Sequence, residues 1–99
     1  MTIELGGNIQ LSGFRDLDSA TMVVVKKIVG NFVKHIDSVD KFQGLHVTLK
    51  IIHQREKSEI YELNAKLQSD KLYTSQSVDR NLMIGLDSVL KKVERTMRR

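Results

Sequence analysis

Residues 45–68 read LHVTLKIIHQREKSEIYELNAKLQ and contain two stretches in which apolar and polar residues alternate. Apolar side chains occupy every second position of 45–52 and again of 61–68. Alternation with a period of two is typical of a strand that buries one face. Residues 54–58, between the two stretches, are mostly charged, which suits a short hairpin loop. The sequence therefore predicts a β-hairpin with one apolar face.

The segments on either side complete a domain around this hairpin. Residues 72–77 follow a tight turn and form a weaker third strand. A short first strand covers 2–5 and resumes at 9–11 after a Gly-Gly-Asn break. Apolar residues at helical spacing predict one helix from 17 to about 36 and another over 79–99. The predicted fold class is α+β: a β-α-β-β-β-α two-layer sandwich, with a four-stranded antiparallel sheet and both helices on one face.

The segment 79–99 separates into an apolar face and a basic face when it is read as a helix. The apolar residues within one arc of roughly 100° are Leu82, Leu86, Val89, Leu90, Val93 and Met97. The basic residues on the opposite side, within roughly 120°, are Arg80, Lys91, Lys92, Arg95, Arg98 and Arg99. The three acidic residues of the segment lie outside the basic arc, so we expect unneutralised positive charge there. Such a face is typical of a surface that binds phosphates.

The composition limits the possible classes of protein. Ninety-nine residues suit a single domain, 1–99, and the absence of cysteine excludes disulfides, thiolate catalysis and cysteine-ligated metals. No apolar run is long enough to span a bilayer and no signal peptide is visible, so we expect a cytoplasmic protein without a membrane partner. Sixteen Lys plus Arg against twelve Asp plus Glu give a net charge of +4. Most of this excess lies in the last segment, which favours nucleic acid as the partner.

Other basic residues are weaker candidates for the same role. Lys26, Lys27 and Lys34 share an arc of roughly 100° on the first helix and could form a second wall of the basic surface. Plain solvated lysines explain these three equally well. Strand residues Lys50 and Lys66 are better explained as solvated lysines that discourage edge pairing, and Arg55 and Lys57 as charged loop residues.

No pattern of residues points to catalysis. His35, His46 and His53 lack metal-ligand spacing, and no Ser/His/Asp or paired-carboxylate arrangement is identifiable. The aromatic residues are too few and too scattered for base stacking, and Tyr61 and Tyr73 fit a core or sheet position. We therefore expect a protein that is not an enzyme and has no cofactor, metal or small-molecule substrate.

The second half of the chain resembles a known family. The resemblance rests on Glu59-Ile60-Tyr61-Glu62-Leu63, on the turn Ser69-Asp70-Lys71, and on residues 81–99, NLMIGLDSVLKKVERTMRR. Together these are similar to the ribosome hibernation promoting factor family, also called ribosome-associated inhibitor A. Its last helix typically begins with Asp-x-Tyr and continues as Ala-Ile-Asp, then Lys-Leu-Glu-Arg. Leu86-Asp87 and Lys92-Val93-Glu94-Arg95 stand at the matching spacing, whereas Asn81, Met83 and Gly85 depart from the pattern.

The resemblance covers residues 45–99 well and is loose over 1–44. It implies a single ribosome-binding domain of the family's short form, which occupies the mRNA and tRNA channel of the small subunit and represses translation in stressed or resting cells. The rRNA contacts on the last helix would fall on Lys91, Lys92, Arg95, Arg98 and Arg99. We also expect a monomer, because one core uses the apolar positions.

Two other classes of function stay open. The order α-β-β-β-α is also that of the double-stranded-RNA-binding domain. The second helix of that domain normally opens with Lys-Lys-x-Ala-Lys, however, whereas the predicted helix opens with Ser77-Val78-Asp79-Arg80. A protein-interaction module with an incidental basic helix is the third class. Absence of RNA binding would favour it.

Overall fold

A computed structural model describes residues 2–6, 8–39, 41–53 and 59–98, and the side chains of 8–37, 41–52 and 59–98. The elements, in chain order, are β1 (Thr2–Gly6), β2 (Ile9–Ser12), α1 (Ser19–Val39), β3 (Gly44–His53), β4 (Glu59–Gln68), β5 (Leu72–Asp79) and α2 (Leu82–Met97). Strands β2 to β5 with the two helices reproduce the predicted β-α-β-β-β-α order. The α+β class is confirmed.

The start of the chain adds a fifth strand to the sheet, whose order is β1-β2-β3-β4-β5. The prediction of one interrupted first strand is wrong, because β1 and β2 are separate strands that pair antiparallel, with Ile3 opposite Leu11. Asn8, directly before β2, has a φ of 65°, a conformation that asparagine tolerates in tight turns. Its carbonyl accepts a hydrogen bond from the Leu45 amide at 3.0 Å, which fixes the turn to the start of β3.

The sheet is mixed, not wholly antiparallel as the sequence analysis expected. Strands β2 and β3 run parallel, with Leu11 opposite Val47, whereas β3, β4 and β5 form the predicted antiparallel meander. The physical reason is the crossover through α1. A helix that packs on the sheet returns the chain to the end of the sheet at which the previous strand began, so the next strand runs parallel to it.

One face of the sheet forms the core with both helices. Strand residues that face the helices alternate with the mostly polar residues of the open face. The predicted core residues Leu49, Leu63, Leu67, Leu86 and Val93 are all buried. Val25, Val29 and Ile36 contribute the buried stripe of α1 to the same cluster. Phe14, in the turn before α1, is also fully buried.

The two helices run parallel, side by side. Residues that precede α1 and α2, such as Leu17 and Asn81, line one cleft together. Ile28 in mid-α1 and Leu90 in mid-α2 line a second groove. The carboxyl-terminal ends of the helices therefore lie at one end of the molecule.

Helix α2 approaches β5 closely because the residues between them are small. Ser77 Oγ donates a hydrogen bond to the Gly85 carbonyl and Ser75 Oγ donates to the Val89 carbonyl, both at 2.7 Å. A Cβ added at Gly85 would lie 3.0 Å from Leu63 Cδ1 and 3.3 Å from the Asp79 Cβ. The close packing explains a glycine at a position where the resembled family usually has alanine.

Candidate nucleic-acid interface

Positive charge is concentrated on the helices. The described residues of α1 and α2, with Arg98, contain seven basic and three acidic residues, and the rest of the chain contains nine of each. Five of these basic residues lie roughly 150–180° around their helices from the buried stripes. These five define the basic face: Lys27, Lys34, Lys91, Arg95 and Arg98, all exposed. Because the helices lie side by side on one face of the sheet, the five cations share one surface of the molecule.

The basic face is partly neutralised, contrary to the expectation of unpaired charge. Lys91 Nζ lies 3.0 Å from Asp87 Oδ2, and Arg98 Nε lies 2.9 Å from Glu94 Oε2. Asp87 and Glu94 do lie outside the basic arc, but each reaches a basic side chain four residues further along the helix. Lys91 is 69% exposed and Asp87 58%, so this ion pair contributes little to stability and can open towards a phosphate.

His35 joins the two helices at the carboxyl-terminal end of the basic face. Its Nε2 lies 3.1 Å from Glu94 Oε2 and 3.1 Å from Arg98 Nη2. Glu94 is only 22% exposed and contacts both groups. This cluster places Arg98 beside the turn of α1 that carries Lys34.

Arg95 has no acidic partner within the described part of the chain, and its guanidinium can contact a phosphate through two donors. Lys92 lies at the margin of the basic face, towards β5, where its Nζ donates to the Gln76 carbonyl at 3.2 Å.

The three predicted lysines of α1 are all exposed. Lys27 and Lys34 point away from the sheet. Lys26 lies at the margin of the basic face, about 100° around the helix axis from the buried Val25. None of the three makes an ion pair with another described residue. The structure therefore brings the lysines of α1 onto the same surface as Arg95.

Arg80 is not on the basic face. Asp79 still pairs with Tyr61 in the sheet, and α2 begins at Leu82 with Asn81 as its N-cap, whose side chain accepts from the Ile84 amide at 3.0 Å. Arg80 is instead exposed in the turn before α2. Arg99, Arg55 and Lys57 lie outside the described residues.

The aromatic side chains do not contribute to the basic face. Phe14 is buried, and the other four aromatic residues are packed against the core: Phe32, Phe42, Tyr61 and Tyr73. The basic face can therefore contact phosphate and sugar but offers no exposed phenylalanine or tyrosine ring on which a base could stack.

The outer helix surface also carries exposed apolar residues that were not predicted from the sequence. Val23 and Val24 on α1 and Ile84 on α2 are exposed, at 63%, 44% and 58%. All three lie in the amino-terminal halves of their helices, whereas the five cations of the basic face lie further along. Periodicity alone does not decide whether such residues are buried or exposed, because β-branched residues are common in cores.

A cleft lies beside the first residues of both helices. Its volume is about 440 Å³, and it is lined by Asp16, Asp18 and Arg80, among others. No group of three potential metal ligands occurs among the described residues. Within the same part of the chain, neither helix is long and apolar enough to cross a lipid bilayer.

Tyr61 lines this cleft and lies beside Glu59. Its hydroxyl donates a hydrogen bond to Glu59 Oε2 at 2.9 Å. That hydrogen bond, with a contribution from burial and from the nearby negative charge, raises the pKa of Tyr61 above its ordinary value.

No protein-family model matches this chain, and no curated protein matches it either.

Proposed function

We propose that this protein binds the small ribosomal subunit through its basic face and represses translation by occupying the mRNA and tRNA channel, as a ribosome hibernation factor of resting or stressed cells. The observation that carries the proposal is the charge distribution: the two helices, together with Arg98, contain all of the chain's net excess of positive charge. The resemblance of residues 45–99 to the hibernation promoting factors supports the choice of the ribosome over other RNA.

The chemistry of the basic face supports recognition of RNA by its backbone. Each phosphate that a lysine or arginine neutralises releases condensed counterions, which favours binding at low salt. Backbone contacts without base stacking suit folded rRNA, in which paired bases are hidden and phosphates are exposed.

Binding of the purified protein to isolated small ribosomal subunits tests the proposal. The log–log dependence of affinity on salt should have a slope of several units, since several phosphates are neutralised together. Reversing Lys27, Lys34 and Arg95 to glutamate should weaken binding strongly and make the slope shallower by about three units. These residues are chosen because each is exposed and none is ion-paired with a described residue.

A matched control reverses Lys50, Lys66 and Lys71, which are also exposed but lie off the helices. Both triple variants have the same net charge, so only the position of the charge differs. Equal loss of binding in the two variants would show that overall charge, not the basic face, holds the protein. Bound protein should also exclude mRNA or initiator tRNA from the same subunit.

A second candidate is a general double-stranded-RNA-binding module, and the arrangement of two helices on one face of an antiparallel meander favours it. Equal affinity for an arbitrary RNA duplex and for small subunits would select that function. Failure to bind either RNA would instead favour a protein-interaction module, with Val23, Val24 and Ile84 as the exposed contact residues.

A further inference from the structure

Among the described residues, β4 is the only strand that pairs with β5, so β5 is an edge strand of the sheet. The Gln68 carbonyl accepts from the Gln43 amide, so even-numbered residues of β4 direct their backbone groups towards β3 and odd-numbered ones towards β5. Lys92 Nζ reaches the Gln76 carbonyl from outside, in agreement with this pattern. The residues whose amide and carbonyl groups point out of the sheet edge are Leu72, Thr74, Gln76 and Val78.

This edge has few of the features that usually prevent strand pairing. It contains no proline and no lysine, and Asp79 at its end is its only charged residue. Leu72 and Val78 are each 57% exposed. The expectation of a monomer assumed that the core uses the apolar positions, and these two residues are left outside it. An edge of this kind is a template for another strand.

The sequence around β5 is complementary to itself. Residues 70–80 read DKLYTSQSVDR, with Ser75 at the centre. When two copies pair antiparallel about Ser75, Leu72 of each lies opposite Val78 of the other, and Thr74 opposite Gln76. Beyond them, Lys71 faces Asp79 and Asp70 faces Arg80, so opposite charges meet at both ends.

Other registers lose this complementarity. In a hydrogen-bonded pair of two β5 strands, an outward-pointing residue of one copy lies opposite an outward-pointing residue of the other. The nearest alternative registers are therefore those in which one strand is shifted by two residues along the other. One shift places Leu72 opposite Gln76, and the other places it opposite Arg80. Neither brings oppositely charged residues together.

We propose that a second copy of this chain pairs with β5 in the register centred on Ser75, which joins two sheets into one of ten strands across a two-fold axis. The partner is a second copy of this chain because the two-fold axis at Ser75 places apolar residues opposite apolar residues and acidic residues opposite basic ones. Lys92 must release the Gln76 carbonyl as the strands pair. An interface of one eight-residue strand is small, so the protein should be monomeric at micromolar concentration and dimeric as it approaches about 1 mM.

Sedimentation velocity over this concentration range tests the dimer. The average mass should rise from 11.3 kDa towards twice that value, and Val78→Lys should weaken association at least about tenfold. Val78 of β5 lies opposite Glu62 of β4, so a lysine at position 78 is compatible with the folded sheet. Ile84→Lys, at 58% exposure on α2, is the matched control and should dimerise like the parent. A parent mass that stays at 11.3 kDa, or equal association of both variants, would overturn the proposal.

Disulfide cross-linking tests the register, because the chain contains no cysteine. A mixture of Thr74→Cys and Gln76→Cys proteins should cross-link under mild oxidation, since opposed residues of this type have Cα atoms about 5.5 Å apart. A mixture of Leu72→Cys and Gln76→Cys proteins, which a two-residue shift would bring together, should cross-link far more slowly. Equal rates in the two mixtures would refute the register.

Discussion

Substitution of Gly13 by alanine should destabilise the protein severely, although Gly13 lies in an exposed turn. The residue follows β2 and has a φ of 83°, which L-residues avoid. An added Cβ would lie 2.0 Å from the Leu49 carbonyl oxygen. Real Cβ atoms essentially never approach another heavy atom within 3.0 Å, so the turn or the strand must move by about 1 Å.

The structure lets us estimate the size of the effect. Leu49 belongs to β3, which is paired on both sides, so the turn must move instead of the strand. The turn continues into Phe14, which is fully buried and would be pulled from its site. The left-handed conformation alone costs about 1–2 kcal/mol, and with the lost packing we expect at least about 3 kcal/mol. For a domain of this size, that lowers the melting temperature by roughly 12–24 °C.

Thermal unfolding followed by circular dichroism measures this change, and Gly30→Ala is the matched control. Gly30 lies inside α1 and a Cβ there meets nothing within 4 Å. Alanine is the better helix former, so Gly30→Ala should raise stability by about 0.5–1 kcal/mol. A Gly13→Ala protein that melts within a few degrees of the parent would show that the turn is not held against β3 as described.

Three further measurements check the core and the titration behaviour. Leu86→Ala should destabilise by roughly 2–5 kcal/mol because the side chain is fully buried, whereas Ile84→Ala, two residues away and exposed, should change the melting temperature little. Ser77→Ala removes a buried hydrogen bond to a carbonyl of α2 and should lower stability by about 1 kcal/mol. Tyr61 should titrate above its ordinary pKa in a spectrophotometric titration, and Glu59→Gln should bring that pKa down. Because folding raises this pKa, the associated stability is present at lower pH and is lost as pH rises through the folded-state pKa of Tyr61.

The meander and α2 could be predicted because their signals are local. Alternation over 45–52 and 61–68 assigns the buried face of β3 and β4 correctly, and Leu63 and Leu67 prove fully buried. Helical spacing likewise identifies Leu86 and Val93 as core residues of α2. In each case the period of the apolar residues determines the buried face without knowledge of the partner.

The errors arose where the outcome depends on a distant partner. The parallel pairing of β2 with β3 joins Leu11 to Val47, and no local pattern encodes it. Arg80 was assigned to the helix because 79–99 has helical spacing, but pairing of Asp79 with Tyr61 extends β5 and delays the start of α2. The burial of Phe14 was not predicted because a single aromatic residue in a turn belongs to no periodic pattern of apolar residues.

The prediction of unneutralised charge on α2 was wrong for a different reason. On a helical-wheel projection of α2, no acidic residue falls inside the basic arc. Side chains are long enough to pair with the residue four positions along, however, so Asp87 neutralises Lys91 from outside the arc. Counting acidic residues within reach, instead of within an arc, would have identified Lys92 and Arg95 as the two cations of α2 with no acidic residue three or four positions away.

Lys92 is the residue through which the two proposed surfaces meet. It lies at the margin of the basic face, yet its ammonium covers the Gln76 carbonyl on the free edge of β5. Reversing its charge would therefore alter RNA binding and strand pairing together, and neither effect could be assigned. Among the described residues, Lys27, Lys34 and Arg95 lie on the basic face and away from that edge, whereas Val78 lies on the edge and away from the basic face. Variants at these positions separate the two surfaces: loss of RNA binding without loss of pairing, and the reverse, are expected only if the surfaces act independently.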